Sequence, residues 1–184
     1  SLYDTVEVNL RNDGKIQLSC SESALPTDSR NIAYRAAQSF FEATGSKFGA
    51  DISLTKRIPF AAGLAGGSTD AAAVLKALNS LCQTGLSDDE LCAIGVKLGA
   101  DVPFCVKGGT MLAQDIGQVL SPLPKLEGYY IVLVKPDVSV STKEAYEAFD
   151  ACGNIRHPNC LSVLHSAAKG DYKEVIAKVG NVFE

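Results

Sequence analysis

Residues 59–72 read Pro-Phe-Ala-Ala-Gly-Leu-Ala-Gly-Gly-Ser-Thr-Asp-Ala-Ala. Before them lies an alternating stretch, Asp51–Arg57, whose period of two predicts a strand. After them Ala71, Val74, Leu75, Leu78 and Leu81 recur at helical spacing, so a helix is predicted from near Ser68 to Leu81. Between the two, Gly63, Gly66 and Gly67 let the backbone turn tightly and approach a ligand closely. The first amides of a helix have no partner inside it, and its dipole is positive there. Such an end suits an anion, above all a phosphate. No Gly-Lys-Ser/Thr closes the loop, so it is not a P-loop, and Gly-x-Gly-x-x-Gly is absent, so it is not a dinucleotide fingerprint. The plain alternative is a glycine-rich turn packed on a sheet, with Ser68 as N-cap and Asp70 complementing the dipole.

Outward from this loop, strands and helices mix without regular βαβ repeats. Thr5–Leu10 and Lys15–Cys20 alternate around Asn12-Asp13-Gly14, which predicts a β-hairpin. Asn31–Ala43 reads as a helix stopped by Gly45. Ser87-Asp88-Asp89-Glu90 is a capping box opening a helix to about Leu98. Phe104–Gln114 is strand-like, broken at Gly108-Gly109. Pro122 and Pro124 mark a boundary. Tyr129–Val134 (YYIVLV) is a continuous apolar run, the pattern of a strand buried on both faces. Thr142–Asp150, Leu161–Ala168 and Tyr172–Val179 are predicted helices. An α+β fold follows.

Composition narrows the classes further. The 184 residues are 46% apolar and 21% charged, which excludes a disordered chain. The net charge of −4 argues against a nucleic-acid binder, which usually presents a basic face. No apolar run approaches 18 residues, so no transmembrane helix is expected. No basic n-region and apolar h-region open the chain. The six cysteines contain no Cys-x-x-Cys pair, and His157 and His165 stand apart from them, so no zinc site is expected. Reduced, mostly buried thiols in a cytoplasmic protein are the expectation.

A second segment carries chemistry: Leu98-Gly99-Ala100-Asp101-Val102-Pro103-Phe104. An Asp in an apolar stretch must be hydrogen-bonded, paired or functional. Asp101 reads either as an Asx-turn before the proline or as a general base that orients a hydroxyl.

The 59–72 loop resembles the second, phosphate-binding motif of the GHMP kinase superfamily, which includes galactokinase and the homoserine, mevalonate and phosphomevalonate kinases. Ala62–Ala72, Leu98–Phe104, Gly108-Gly109-Thr110, Asn31–Ala37 and Val138–Thr142 are similar, in order, to the branch acting on a cytidine diphosphate-linked methylerythritol. The resemblance implies ATP-dependent phosphorylation of that acceptor's 2-hydroxyl, in the non-mevalonate isoprenoid pathway, with ATP and Mg²⁺ as cofactors. Another small-molecule GHMP kinase, or a non-catalytic nucleotide-binding module, is the alternative.

The implied fold is a ribosomal protein S5 domain 2-like N-terminal domain over 1–124, then the start of a ferredoxin-like domain over 125–184. Pro59 and the loop residues Gly63, Leu64, Ala65, Gly66, Gly67, Ser68 and Thr69 would hold the ATP phosphates, and Asn31 and Lys56 would contact the nucleotide. Asn31 also reads as a helix cap, and Lys56 as a solvated edge charge. Asp101 matches the catalytic aspartate. Ile116, Thr142 and Tyr146 match the cytidine diphosphate side. Ile116 is expected to pack in either reading, and Tyr146 is either core or a stacking ring. Asp115 stands where the family usually has glycine, and would tolerate φ > 0 better than most residues. A strand with a catalytic lysine is expected before Ser1, and a third glycine-rich motif beyond Glu184, so the chain alone is expected to lack turnover. Its partners are small molecules, with no nucleic acid and no membrane.

Overall fold

The computed structural model describes residues 2–125, 127–136, 142–153 and 157–182. The chain divides into two compact units, Ser1–Gly108 with Ala113–Leu120, and Gly109–Leu112 with Ser121–Glu184. In the first, β1 (Thr5–Arg11), β2 (Ile16–Cys20) and β3 (Gly49–Thr55) form a three-stranded sheet. Helices α1 (Ile32–Thr44) and α2 (Gly66–Leu81) pack on it, and α3 (Asp88–Gly95) and α4 (Val102–Lys107) pack against those helices.

The predicted hairpin does not form. The strand order is β1-β3-β2, with β3 antiparallel to β1 and parallel to β2. Alternation marks a strand and its buried face, but it does not choose the neighbour. The chain turns at Gly14 (φ 69°) and passes the end of β3, where the Ala50 amide donates to the Lys15 carbonyl at 3.0 Å. Gly49 permits this crossing, since a Cβ there would stand 2.0 Å from the Lys15 carbonyl oxygen. β2, α1 and β3 then make a parallel β–α–β unit.

The core is built from alternation on the sheet and helical stripes above it. Ala50, Ile52 and Leu54 of β3 are buried, as are Ala33, Ala36, Ala37 and Phe40 of α1 and Ala71, Val74, Leu75 and Leu78 of α2. Leu81, the last residue of its expected stripe, is exposed at the end of α2. α1 begins at the Asn31 cap and stops at Gly45 in the left-handed region (φ 64°). The capping box of α3 is complete, with Ser87 and Glu90 each bonding the other's backbone. Residues 102–107 are helical rather than extended, because Pro103 fits the first turn and Val102 and Val106, four apart, bury together. The strand of this region begins only at Met111.

A two-stranded hairpin, β4 (Met111–Gln114) and β5 (Val119–Pro122), links the units. The second unit carries α5 (Thr142–Asp150), α6 (Cys160–Ala168) and α7 (Tyr172–Lys178). Tyr172 is buried and its hydroxyl donates to the Pro124 carbonyl. Tyr129–Val134 is neither a strand nor buried: all six side chains are exposed. A strand of this composition needs a neighbour at an edge and a layer on each face, and among the described residues the run has neither.

The cysteines are free; four are half-buried, and Cys152 and Cys160 are exposed, so they are not mostly buried as expected. Among the described residues no helix is long and apolar enough to cross a membrane.

Candidate active site

The loop between β3 and α2 carries its distinctive geometry in three left-handed residues, Ala61 (φ 52°), Gly63 (φ 67°) and Ala65 (φ 53°). Alanine in that region costs roughly 1–2 kcal/mol, and such strain persists where surrounding structure fixes it, often at functional sites. The helix begins at Gly66, two residues before the expected start. Its N-cap is Ala65, which offers no side-chain hydrogen bond, so Ser68 is not the cap. The first helical bond runs from the Thr69 amide to the Ala65 carbonyl at 2.9 Å. The amides of Gly66, Gly67 and Ser68 therefore have no partner within the helix. Thr69 Oγ1 donates to the Gly66 carbonyl at 2.7 Å.

Two further segments meet this turn through Ile32, the first residue of α1. A Cβ at Gly67 would lie 3.3 Å from Ile32 Cγ2, and one at Gly99 would lie 3.7 Å from Ile32 Cδ1. The start of α2 and the approach to Asp101 thus sit on one side chain. Asn31 is held just before it. Its Oδ1 accepts from the Ala33 amide at 2.9 Å, and its Nδ2 donates to the Pro26 carbonyl at 2.8 Å, in a buried position. Asn31 is thus the helix cap.

Asp101 occupies the N-cap position of α4, with helical backbone angles and no capping hydrogen bond from its side chain. It is exposed, so its carboxylate faces solvent beside the loop rather than closing an Asx-turn. Next to it on α4, burial pushes the Cys105 thiol up to about 11, with the Asp101 charge adding to the effect. That thiol stays protonated and unreactive at neutral pH.

Ile116 is exposed rather than packed, because the tip of the β4–β5 hairpin carries it outward between Asp115 (φ 60°) and Gly117 (φ 115°). Asp115 does adopt positive φ, and its carboxylate accepts from Gln118 Nε2 at 2.6 Å. A Cβ at Gly117 would stand 3.7 Å from the Ala100 carbonyl, so this tip approaches the Asp101 segment. Thr142 is the first residue of α5, and Tyr146, on the same helix, is exposed rather than core. The segment at 138–141 lies outside the described residues.

Lys56 is not an edge charge. It is buried between two carboxylates, pairing with Asp4 and, at 2.6 Å, with Asp70. The Asp4 carboxylate also accepts from the backbone amides of Arg57 and, at 2.9 Å, Ile58. Burial would raise Asp4, but those two amides and the Lys56 ammonium outweigh it and hold the carboxyl below its usual range. Burial likewise works against the Lys56 charge, and its two carboxylate partners reverse this and hold its pKa above the ordinary lysine value. Asp70 differs: burial pushes it up to about 6, Lys56 only partly offsets this, and the Asp4 charge adds to it. Its Oδ1 is buried without a hydrogen-bond partner.

Sequence reasoning missed Asp4 and the pairing of Asp70. A signal was there, since Lys56 continues the inward parity of Ala50, Ile52 and Leu54, and the register Thr5↔Thr55 sets Asp4 across from it.

Residues 31–109 match the family model described as "GHMP kinases N terminal domain". The match spans the Asn31 cap, the strained loop, α2 and Asp101. Over those residues the chain is similar to a GHMP kinase N-terminal domain. Over the whole chain the sequence is 45% identical to the 4-diphosphocytidyl-2-C-methyl-D-erythritol kinase of Clostridium beijerinckii and 44% identical to that of Clostridium novyi. The chain spans about 65% of the length of these curated relatives. Among solved structures, a 4-(cytidine 5'-diphospho)-2C-methyl-D-erythritol kinase superposes with TM-score 0.67 at 33% identity, over 93% of this chain and 60% of that one. Homoserine kinase from Cytophaga hutchinsonii superposes with TM-score 0.75 at 20% identity, over 98% of this chain and 64% of that one, which speaks for the fold alone. The α+β fold expected from the mixed strands and helices, and the GHMP kinase fold that the resemblance implies, are thus the fold the chain shares with these structures.

Proposed function

We propose that the chain carries the phosphate-binding loop and the base of an ATP-dependent cytoplasmic kinase, which phosphorylates the 2-hydroxyl of 4-diphosphocytidyl-2-C-methyl-D-erythritol. The observation that carries this reading is the meeting, on Ile32, of the uncapped start of α2 with the segment that presents Asp101. Identity of 45% along the whole chain to a relative with that name supports the acceptor.

Phosphoryl transfer needs positioning and charge neutralisation more than covalent chemistry from the protein. In this reading the amides of Gly66, Gly67 and Ser68 and the positive end of α2 hold phosphate oxygens. Pro59, Gly63, Leu64 and Ala65 shape the turn, and Thr69 fixes its far side. Asn31, beside its role as helix cap, and Lys56 contact the nucleotide in this reading. Asp101 accepts or orients the proton of the attacking hydroxyl. The resemblance assigns Ile116, Thr142 and Tyr146 to the cytidine diphosphate, and stacking of a base on an aromatic ring such as that of Tyr146 is worth about 1–3 kcal/mol. Mg²⁺ takes few protein ligands and most of its donors from phosphate oxygens and water, so phosphates held at the start of α2 would supply its site. When bound, it would neutralise charge on the transferred phosphate. The same reading ends the first domain at Pro124.

The test is ATP-dependent phosphorylation of the cytidine diphosphate-linked acceptor, against homoserine and phosphomevalonate, by the protein from its complete reading frame. Asp101→Asn is expected to lower kcat by about 10²–10⁴ while ATP binding persists. Undiminished kcat in that variant, or preference for another acceptor, would overturn the assignment.

A further inference from the structure

Two carboxylates share one ammonium beneath the start of α2, so with all three ionised the group carries a net charge of −1. The side chains of Asp4, Lys56 and Asp70 keep only 3%, 7% and 5% of their accessible surface. The two anchors are unequal. Asp4 accepts from Lys56 and from the amides of Arg57 and Ile58, so both its oxygens are engaged. Asp70 accepts from Lys56 alone, through Oδ2, and its buried Oδ1 has no donor. A buried polar atom without a partner costs about 1–3 kcal/mol.

The group also lies at the edge of the phosphate site. A Cβ on Gly66, the first residue of α2, would stand 3.5 Å from Lys56 Nζ. An anion held by the amides of α2 would add negative charge beside a buried group that already has an excess of it. The charges facing Asp70 are Lys56, from the end of β3, and Asp4, from the approach to β1. On the other elements packed against α2, charged side chains point away. Arg35 and Glu42 of α1, the acidic first turn of α3, Lys107 of α4 and Glu7 of β1 are exposed, and Arg11 of β1 pairs with Asp13 and Asp51.

We propose that Lys56 is an exchangeable cation, anchored permanently by Asp4, which passes from Asp70 to a nucleotide phosphate on binding while Asp70 takes up a proton from solvent. The Lys56–Asp70 pair breaks, a hydrogen bond from Nζ to a phosphate oxygen forms, and the proton on Asp70 comes from the buffer. Asp70 gains neutrality as its partner leaves, and the group's net charge rises to meet the anion. Asp70 and Asp4 are then positioning residues that act through Lys56. Burial already pushes Asp70 up to about 6, within reach of neutral pH once Lys56 departs. The inference rests on the nucleotide reading of the loop.

The experiment is calorimetric titration of ADP into the protein from its complete reading frame, at pH 7, in buffers of different ionisation enthalpy. Wild type is expected to take up more protons per ADP than Asp70→Asn; phosphate protonation of the nucleotide itself is common to both. Asp70→Asn is expected to bind as wild type does at pH 6 and several-fold more tightly at pH 8. Asp4→Asn should bind at least tenfold more weakly at both. A carbon-detected NMR titration of the Asp70 carboxyl in wild type, with and without ADP, reads the same protonation should the variants fail to fold. Equal proton counts in wild type and Asp70→Asn, equal losses in Asp4→Asn and Asp70→Asn, or an Asp70 carboxyl shift unmoved by ADP would overturn the proposal. Absence of ADP binding by wild type would instead overturn the nucleotide reading, and this inference with it.

Discussion

Phe40 on α1 and Tyr130 in the 129–134 run are both aromatic residues in strongly apolar surroundings of sequence, yet the first has no accessible surface and the second is fully exposed. The first unit buries its apolar residues because each element offers one apolar face to a neighbour. Ala50, Ile52 and Leu54 alternate on β3, and Ala33, Ala36, Ala37 and Phe40 repeat on α1. The 129–134 run has apolar side chains on every side, so a single neighbour could not bury it. Apolar composition sets how many layers a segment requires, while period sets how few suffice.

Substitution tests this contrast most strongly. Phe40→Ala is expected to cost about 3–5 kcal/mol in urea unfolding, from lost transfer energy and the cavity left behind. Tyr130→Ala should shift the midpoint by no more than about 0.5 kcal/mol. A comparable loss in both would mean that the run is packed in solution.

Charge sharpens the comparison next. The first unit buries its ion pairs around Lys56, whereas Lys178–Glu174 of the second lies largely in solvent. Asp70 has a folded pKa of about 6 against an ordinary 3.8, worth about 3 kcal/mol as an order of magnitude. The raised value means that this stability is present below pH 3.8 and lost as pH rises through 6. Asp70→Asn should therefore flatten the decline between pH 4 and 6 in thermal melts. Asp4 has the opposite sign. Its lowered pKa gives stability above pH 3.8 that is lost as pH falls further. Lys178→Ala should leave both profiles unchanged.

Backbone space gives a smaller effect. Gly49→Ala pushes a Cβ onto the Lys15 carbonyl and should cost about 1–3 kcal/mol or more, since backbone must shift. Gly128→Ala meets open space and should cost only the roughly 1 kcal/mol of its positive φ. The smallest expected effect is at a cap. Ser87→Ala removes one side of the capping box of α3 and should cost about 1 kcal/mol, measured by the same unfolding.

Much of this was legible from periodicity and punctuation. The Asn31 cap, the Gly45 stop, the capping box and the glycine loop follow from local chemistry, so a few neighbouring residues suffice to predict them. Three features depended on distant partners. The order of β1, β3 and β2 is set by packing around Gly49 and Lys15, which alternation does not encode. The Val102–Lys107 helix is held by burial against α2 and α3, against a locally strand-like composition. The Lys56 pairing needed the register of β1 on β3 before Asp4 could be placed across from it. The exposure of Ile116 is not legible in the sequence either, because two positive-φ residues at the hairpin tip outweigh its hydrophobicity.

The insertion of β3 between β1 and β2 also sets a timetable. A hairpin could zip as soon as Cys20 was made, but here neither outer strand has a hydrogen-bonded neighbour until the chain has reached Thr55. At roughly 5–20 residues per second, the ribosome takes about 2–7 s to add that interval. During it two alternating strands wait with open edges, and α1 has no complete sheet to cover. The nascent chain thus passes through a brief, sticky adolescence that a local hairpin would have avoided, and Glu7 and Arg11 put on β1 the kind of charge that opposes edge-to-edge pairing.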